Sequence, residues 1–272
     1  MIYWKNKIVV ITGGSDGLGR AIGIEFVRVG ATVLLLARDP ERLNLAVDQI
    51  TELILPGQIF GVVADVTNDS SVQQAIDQII AQHGQIDGWV NNVGKSTRVA
   101  LVDCRVEQYR ELMELNFYSA VRCTLAVIPY LEKTGGHLVN IGSLASKTGW
   151  PFVAPYATSK HALAAFHHQL RLEGPQTIHY LHVCPGPIKR ADAGVRYAVE
   201  AAGMGSAAAQ PGGGVKLKGI EPAHLAAKIE RACRQRRPDL VIPLRARLLF
   251  MLAQCCPVWT DNLLRRMNRR RN

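Results

Sequence analysis

The chain has 272 residues, 48% hydrophobic and 20% charged, which supplies apolar material for one sizeable α/β core and excludes a disordered composition. Its net charge of +10 sits at one end: residues 228–272 hold Lys228 and eleven arginines against Glu230, Asp239 and Asp261, so the main body is almost neutral. Six cysteines scattered without a CxxC pair or a Cys/His cluster exclude a disulfide framework and point to free thiols in a reducing compartment.

The first residues run straight into an apolar segment with no charged-then-apolar leader. No apolar run reaches the roughly 20 residues of a spanning helix, so a cytoplasmic location is expected. Residues 7–12 (KIVVIT) form a β-branched run bounded by glycines, a first strand. Residues 17–29 follow with helical spacing, Leu18, Ile22, Phe26 and Val29 falling on one face. A second strand is expected at 31–36 (ATVLLL), and a helix at 40–53 opened by Asp39 and Pro40. A third strand at 59–64 precedes a helix at 69–82 that turns Val72, Ala75, Ile76, Ile79 and Ile80 inward. Further strands fall at 86–91, 137–141 and 178–183, with long helices at 106–131 and 157–172.

Strands that are apolar throughout, separated by helices, predict a parallel sheet covered on both faces. The expected fold is a doubly wound, Rossmann-type α/β sheet in a single domain over residues 1–243, with its ligand site at the carboxyl ends of the strands. Residues 194–219, rich in Gly and Ala around Pro211-Gly212-Gly213-Gly214, are expected to be a flexible insertion beside the site. A helix at 222–234 and a strand at 240–243 lead into a basic amphipathic tail, 244–272, in which Cys255 and Cys256 are read as apolar helix filler.

Three places carry chemistry. The turn Thr12-Gly13-Gly14-Ser15-Asp16-Gly17-Leu18-Gly19 follows the first strand and opens a helix, where glycines permit tight turning and close approach of a pyrophosphate to backbone N–H groups. The second strand ends in Ala37-Arg38. An acidic residue there would hold an adenosine ribose and repel a 2′-phosphate; Arg38 instead offers a permanent planar cation, which argues for NADP(H), with Asp16 an acidic neighbour to that phosphate. Tyr156 and Lys160 are four residues apart on one helical face, so the ammonium can stabilise a tyrosinate and make the phenol a proton donor or acceptor. Ser143 ends the fifth strand, aimed at the same site, and Asn116 lies mid-helix, where an amide is a poor helix former without a task.

Taken together these residues resemble the short-chain dehydrogenase/reductase family from about Lys5 to Lys189. The family's TGxxxGxG turn is Thr12 to Gly19, its Asp-Val pair is Asp65-Val66, and its NNAG appears as Asn91-Asn92-Val93-Gly94 with Val93 for the usual Ala. The Ser–Tyr spacing is kept by Ser143 and Tyr156, and Pro185-Gly186 matches the PG after the sixth strand. The resemblance implies Tyr156 as general acid/base and Lys160 holding the nicotinamide ribose. It implies Ser143 polarising the substrate oxygen and Asn116 holding a water that links Lys160 to solvent. The implied cofactor contacts are Gly13, Ser15, Gly17, Leu18, Gly19, Arg38, Asp65, Val66, Asn92, Gly94, Tyr156, Lys160, Pro185, Gly186 and Ile188. The family's usual Thr after PG is replaced by Pro187-Ile188-Lys189-Arg190, which bears on the carboxamide contacts, and the stretch 173–178 is short. No metal is expected, since the histidines lack ligand spacing.

The expected reaction interconverts a ketone or aldehyde and an alcohol, on an apolar substrate by analogy with relatives carrying similar tails. Homo-oligomers through the long helices are expected from the same resemblance. The tail, apolar segments flanked by Arg with one Trp, suits an anionic bilayer surface, packing on its own domain, or a subunit contact. Nucleic acid has no recognition motif here. The competing reading is a non-catalytic NADP(H)-binding sensor or scaffold whose tail engages a partner or membrane.

Overall fold

A computed structural model describes residues 3–190 and 218–269. Seven strands, β1 (Ile8–Thr12), β2 (Thr32–Ala37), β3 (Gln58–Val63), β4 (Gly88–Asn91), β5 (His137–Ile141), β6 (His179–Pro185) and β7 (Asp239–Ile242), form one sheet in the order β3-β2-β1-β4-β5-β6-β7. Every pair is parallel. The order reverses between β1 and β4, so the crevice of a doubly wound sheet opens above those two strands.

Helices α1 (Gly17–Arg28), α2 (Pro40–Thr51) and α3 (Asp69–His83) begin where the sequence placed them. Each has a side-chain cap: Asp16, Asp39 and Asn68 accept from the N–H of Gly17, Arg42 and Ser71, a device worth about 1 kcal/mol per helix. Helices α6 (Ala154–Glu173) and α7 (Pro222–Arg234) complete the layers with α4 (Val106–Met113) and α5 (Ser119–Thr134). On one face Ile22 and Phe26 of α1, Leu43 and Ile50 of α2 and Leu225 and Ile229 of α7 pack on alternate strand residues such as Val9, Ile11 and Leu35. On the other, Val72, Ile76 and Ile79 of α3, Val127 and Leu131 of α5 and Leu170 of α6 cover Val10, Leu34 and Leu138. Trp4, 1% exposed, donates from Nε1 to Glu230 Oε1 at 2.8 Å and meets the Phe26 ring edge-on, tying the first residues to α7.

Four expectations change. The helix expected at 106–131 is α4 and α5 joined by a wide π turn, Glu114–Tyr118, which carries Asn116. The helix expected at 157–172 starts earlier, at Ala154 with Pro155 in its first turn, which brings Tyr156 inside it. The tail is two helices, α8 (Ala246–Cys255) and α9 (Pro257–Arg269). Cys255 and Cys256 are not helix filler: both are exposed, because α8 ends there and Cys256 leaves helical geometry at φ −135°. The insertion expected at 194–219 lies almost wholly outside the described residues, but its base is held. Ile188 bridges Ile220, with Lys189 N donating to Ile220 O at 2.9 Å and Ile220 N to Pro187 O at 2.8 Å.

Candidate active site

The turn after β1 is stapled to β4. Asn92 N donates to Thr12 Oγ1 at 3.0 Å, and its side-chain Nδ2 donates to Thr12 O at 3.0 Å and Gly13 O at 3.2 Å. The Nδ2 group of Asn92 thus shapes the turn that would receive a cofactor. A Cβ at Gly19 would lie 2.1 Å from Gly13 O, so only glycine lets the helix start this close beneath the turn. The carboxylate of Asp16 takes the N–H of Gly17 at 2.6 Å and lies 4.0 Å from the Arg190 guanidinium, so its charge is partnered. First-turn N–H groups such as those of Leu18 and Gly19 are the ones a helix does not satisfy internally, and they suit an anion held above Ser15.

Arg38 is exposed at the end of β2. Asp65 follows β3, and its Oδ1 accepts from Thr67 N at 2.9 Å and Thr67 Oγ1 at 2.7 Å. These bonds hold its carboxyl below the usual carboxylate range, with smaller help from the charges of Arg38 and Arg122. Arg38 and Asp65 therefore share one rim of the crevice, with Val66 buried behind them and its carbonyl accepting from Arg122 Nη1 at 3.1 Å.

The other rim carries Ser143, Tyr156 and Lys160. Ser143 follows β5 and caps a 3-10 turn, Leu144–Ser146: its Oγ accepts from Ala145 N at 3.1 Å, and its N donates to Ser146 Oγ at 3.0 Å. One lone pair is thereby used by the chain, which fixes the position of the oxygen and leaves the O–H able to donate. Ala145, Val153, Trp150 and Tyr156 form a small apolar cluster, so the Ser143 turn and the Tyr156 helix are packed together. Lys160, 4% exposed, sits one turn on; its Nζ donates to Ile141 O at 2.8 Å and lies 6.0 Å from the Tyr156 ring centroid. Burial pushes this ammonium down to about 8.

Asn116 meets the same point from the π turn. Its Oδ1 accepts from Lys95 N at 2.8 Å, while Nδ2 donates to Lys95 O and Ser159 Oγ, both at 2.9 Å. Both N–H groups are used, so the side chain clamps the segment after β4 to α6. Gly94 completes the convergence: a Cβ there would stand 3.2 Å from Asn116 Oδ1 and 3.3 Å from Lys160 Nζ. Pro185 ends β6, and Gly186 N donates to Ile242 O at 2.8 Å, which carries the crevice wall on to Ile188. The clamp partners Lys95 and Ser159 had no signal in the sequence, because each acts through its position beside Asn116.

Behind this rim runs a polar row, buried as far as His182 and half-buried at Asp239. Asn91, Asn140, His182 and Asp239 are register partners on four successive strands. Trp89 Nε1 donates to Asn91 Oδ1 at 2.9 Å; Asn91 Nδ2 donates to Asn140 Oδ1 at 2.8 Å and Thr124 Oγ1 at 3.0 Å. Asn140 Nδ2 must then donate to His167 Nδ1, at 3.2 Å, which puts the His167 proton on Nε2. Among the described residues that Nε2 is the one buried side-chain polar atom with no hydrogen-bond partner, and its ring stacks on His182 at 5.0 Å.

Two groups of metal-ligating side chains, His137, His179 and Cys233 and then His182, Cys184 and Asp239, are brought within 4.8 Å by neighbouring elements, which spacing along the chain does not reveal. In the first, Arg237 O can only accept, so His179 donates from Nε2 at 2.7 Å. His137 Nδ1 then donates to His179 Nδ1 at 2.9 Å, and Tyr3 donates to His137 Nε2 at 2.8 Å. Hydrogen bonds satisfy both neutral rings. In the second, Arg247 takes Asp239 Oδ2 at 2.7 Å, and burial pushes the Cys184 thiol up to about 12. Burial pushes His137 and His182 down to about 3 and lowers His167 and His179 as well. Neither group contains Ser143, Tyr156, Lys160 or Asn116.

A parallel sheet with a glycine turn over its switch point and a Ser/Tyr/Lys rim beside it has the form of a dinucleotide-dependent oxidoreductase. Comparison with known proteins agrees. A family model described as short chain dehydrogenase matches residues 7–198. A dehydrogenase/reductase SDR family protein 7-like of Drosophila melanogaster is 30% identical over 92% of this chain and 77% of its own length. An SDR family member 7B of Danio rerio is 34% identical over 68% of this chain and 62% of its own, so the chain spans about three fifths of that relative. An alcohol dehydrogenase of Thermococcus sibiricus, solved as a complex with 5-hydroxy-NADP, has the same fold, with a TM-score of 0.72 over 87% of this chain and 95% of that one at 24% identity. The chain belongs to the short-chain dehydrogenase/reductase family of oxidoreductases.

Proposed function

We propose that the protein is an NADP(H)-dependent oxidoreductase that interconverts a ketone or aldehyde and an alcohol on an apolar substrate. The observation that carries this reading is the buried Lys160 ammonium one helical turn from Tyr156, at the point where Asn116 and Gly94 converge. A buried cation with no carboxylate partner among the described residues is costly, so its placement there favours a negative charge forming close by.

The residues present fit a dinucleotide. The space a Cβ would fill at Gly19 is closed by Gly13 O, which brings backbone N–H groups within reach of a diphosphate. Arg38, exposed after β2 where an acidic residue would oppose it, would hold a 2′-phosphate, and Lys160 would hold the nicotinamide ribose. When bound, the nicotinamide supplies a hydride to the carbonyl carbon or accepts one from the alcohol.

In the reducing direction Ser143, held in place by the bond its Oγ accepts from Ala145 N, donates a hydrogen bond to the carbonyl oxygen. Tyr156 gives its phenolic proton to that oxygen as negative charge develops there, and Lys160 stabilises the tyrosinate left behind. Asn116 holds the Gly94–Lys95 segment against α6, so that Lys160 stays beside the reacting group. Trp150, half-buried against the cluster of Ala145, Val153 and Ala157 beside Tyr156, gives this rim apolar character, which supports an apolar carbonyl as substrate. The test is NADPH consumption across ketones and aldehydes graded by size and polarity. Turnover is expected with apolar members, and Tyr156→Phe should lower kcat by at least about a thousandfold while NADPH still binds. Turnover retained in that variant would remove Tyr156 from the chemistry.

A further inference from the structure

Among the described residues a row of exposed apolar side chains lies on α8 and the start of α9. On α8, Leu248 and Met251 are 63% and 64% exposed, Cys255 is exposed, and the three recur at steps of three and four residues along one face. Leu244 before the helix, and Val258 and Trp259 in the first turn of α9, extend it at 69%, 74% and 56% exposure. The opposite face is occupied: Ala246 and Phe250 pack on Leu144, Cys184 and Val241. The helix is therefore seated on the body, and its outward stripe is left over.

Charge selects the occupant. Residues 244–272 contain seven arginines and a single acid, Asp261. Arg245 and Arg265 are exposed beside the stripe. A second copy meeting this face about a two-fold axis would set the same arginines against each other, which disfavours self-association. An anionic lipid surface meets both halves of the pattern, since acyl chains take the apolar stripe and headgroups the guanidinium groups, and an exposed Trp is suited to that boundary. No described helix is long and apolar enough to cross a membrane, so contact would be in the plane of the surface.

We propose that the outward face of α8 and the first turn of α9 dock the protein on the surface of an anionic bilayer. The face also sits beside the reactive rim. The α8 helix leaves the carboxyl end of β7, and its Phe250 touches Leu144, the residue after Ser143. Docking would thus bring the crevice to the depth at which lipid-dissolved carbonyl compounds reside. The surface contact itself is independent of the reaction proposed above and is tested without it.

Full-length protein is sedimented with vesicles of phosphatidylcholine alone and of phosphatidylcholine with phosphatidylserine. It should pellet with the anionic vesicles, less so at high salt, and the triple variant Leu248→Ser, Met251→Ser, Trp259→Ser should bind them at least about tenfold more weakly. The variant's circular dichroism and NADPH affinity should match the parent protein. Independently of any folding effect, Trp259 emission should be quenched by vesicles of brominated acyl chains, and Trp259→Phe should remove that quenching while retaining most of the binding. Failure to pellet, equal binding to both compositions, or undiminished binding by the triple variant would overturn the proposal. So would a dimer of the parent protein that the triple variant dissociates, which would give the face to a second copy.

Discussion

Single side chains decide the chemistry here through what their partners leave them free to do. Burial lowers Lys160 to about 8, so in the unliganded protein it is charged below that pH and neutral above it. If its charge holds the cofactor ribose, the Kd for NADPH, read from nicotinamide fluorescence, should rise as pH passes upward through about 8. Lys160→Met should bind weakly at every pH and show no such limb; a limb that persists in the variant assigns the titration elsewhere. Arg38 makes a separate prediction, because its guanidinium reaches only the adenosine side. Arg38→Ala should weaken NADPH by about 1.5–3 kcal/mol and leave NADH nearly unchanged. Equal losses for the two cofactors would mean that this Arg does not read the phosphate.

At the scale of elements, the strand–turn–helix unit from β1 to α1 is a machine for close backbone approach. Gly19→Ala would put a methyl 2.1 Å from Gly13 O, and the turn can yield only by moving away from Asn92. A melting temperature lowered by several degrees and an NADPH Kd at least about tenfold higher are expected together. A variant stable and tight-binding would show that the turn is slack. This unit was legible in the sequence because glycines, a β-branched run and a helical period are all local signals. Tyr156, Lys160 and Ser143 were legible through spacing.

The π turn at Glu114–Tyr118 was not legible, since residues 106–131 keep a helical pattern throughout and the clamp that uses the turn comes from Lys95 and Ser159 on other elements. The row from Asn91 to Asp239 was hidden for the same reason: its residues are polar positions within otherwise apolar strands, and only register lines them up. The two ligand-type groups, invisible to spacing, are a further case of contact made by the sheet and not by the chain. The division of the tail into α8 and α9 turns on Pro257, a helix-opening residue that the apolar run on either side of it conceals.

For the molecule as a whole, the four buried imidazoles set an acid limit. His137, His167, His179 and His182 are held neutral in the folded state, with His137 and His182 at about 3, whereas an unfolded chain protonates each near its ordinary value of about 6.5. A folded value below the unfolded one contributes stability that is complete above about 6.5 and drains away as pH falls toward 3. Each ring that stays neutral in the fold while the unfolded chain protonates it steepens the loss by about 1.4 kcal/mol per pH unit, and near pH 5 unfolding should take up at least about two protons, those of His137 and His182. Calorimetry in unbuffered proton-uptake format and melting curves from pH 7 to 5 would register both, and a melting temperature that stays level over that interval would contradict the tautomers assigned to the Tyr3–His137–His179–Arg237 chain. The buried imidazoles therefore double as a proton sink, opened only by losing the fold: the same packing that keeps these rings dry in neutral solution sets how much acid the molecule withstands.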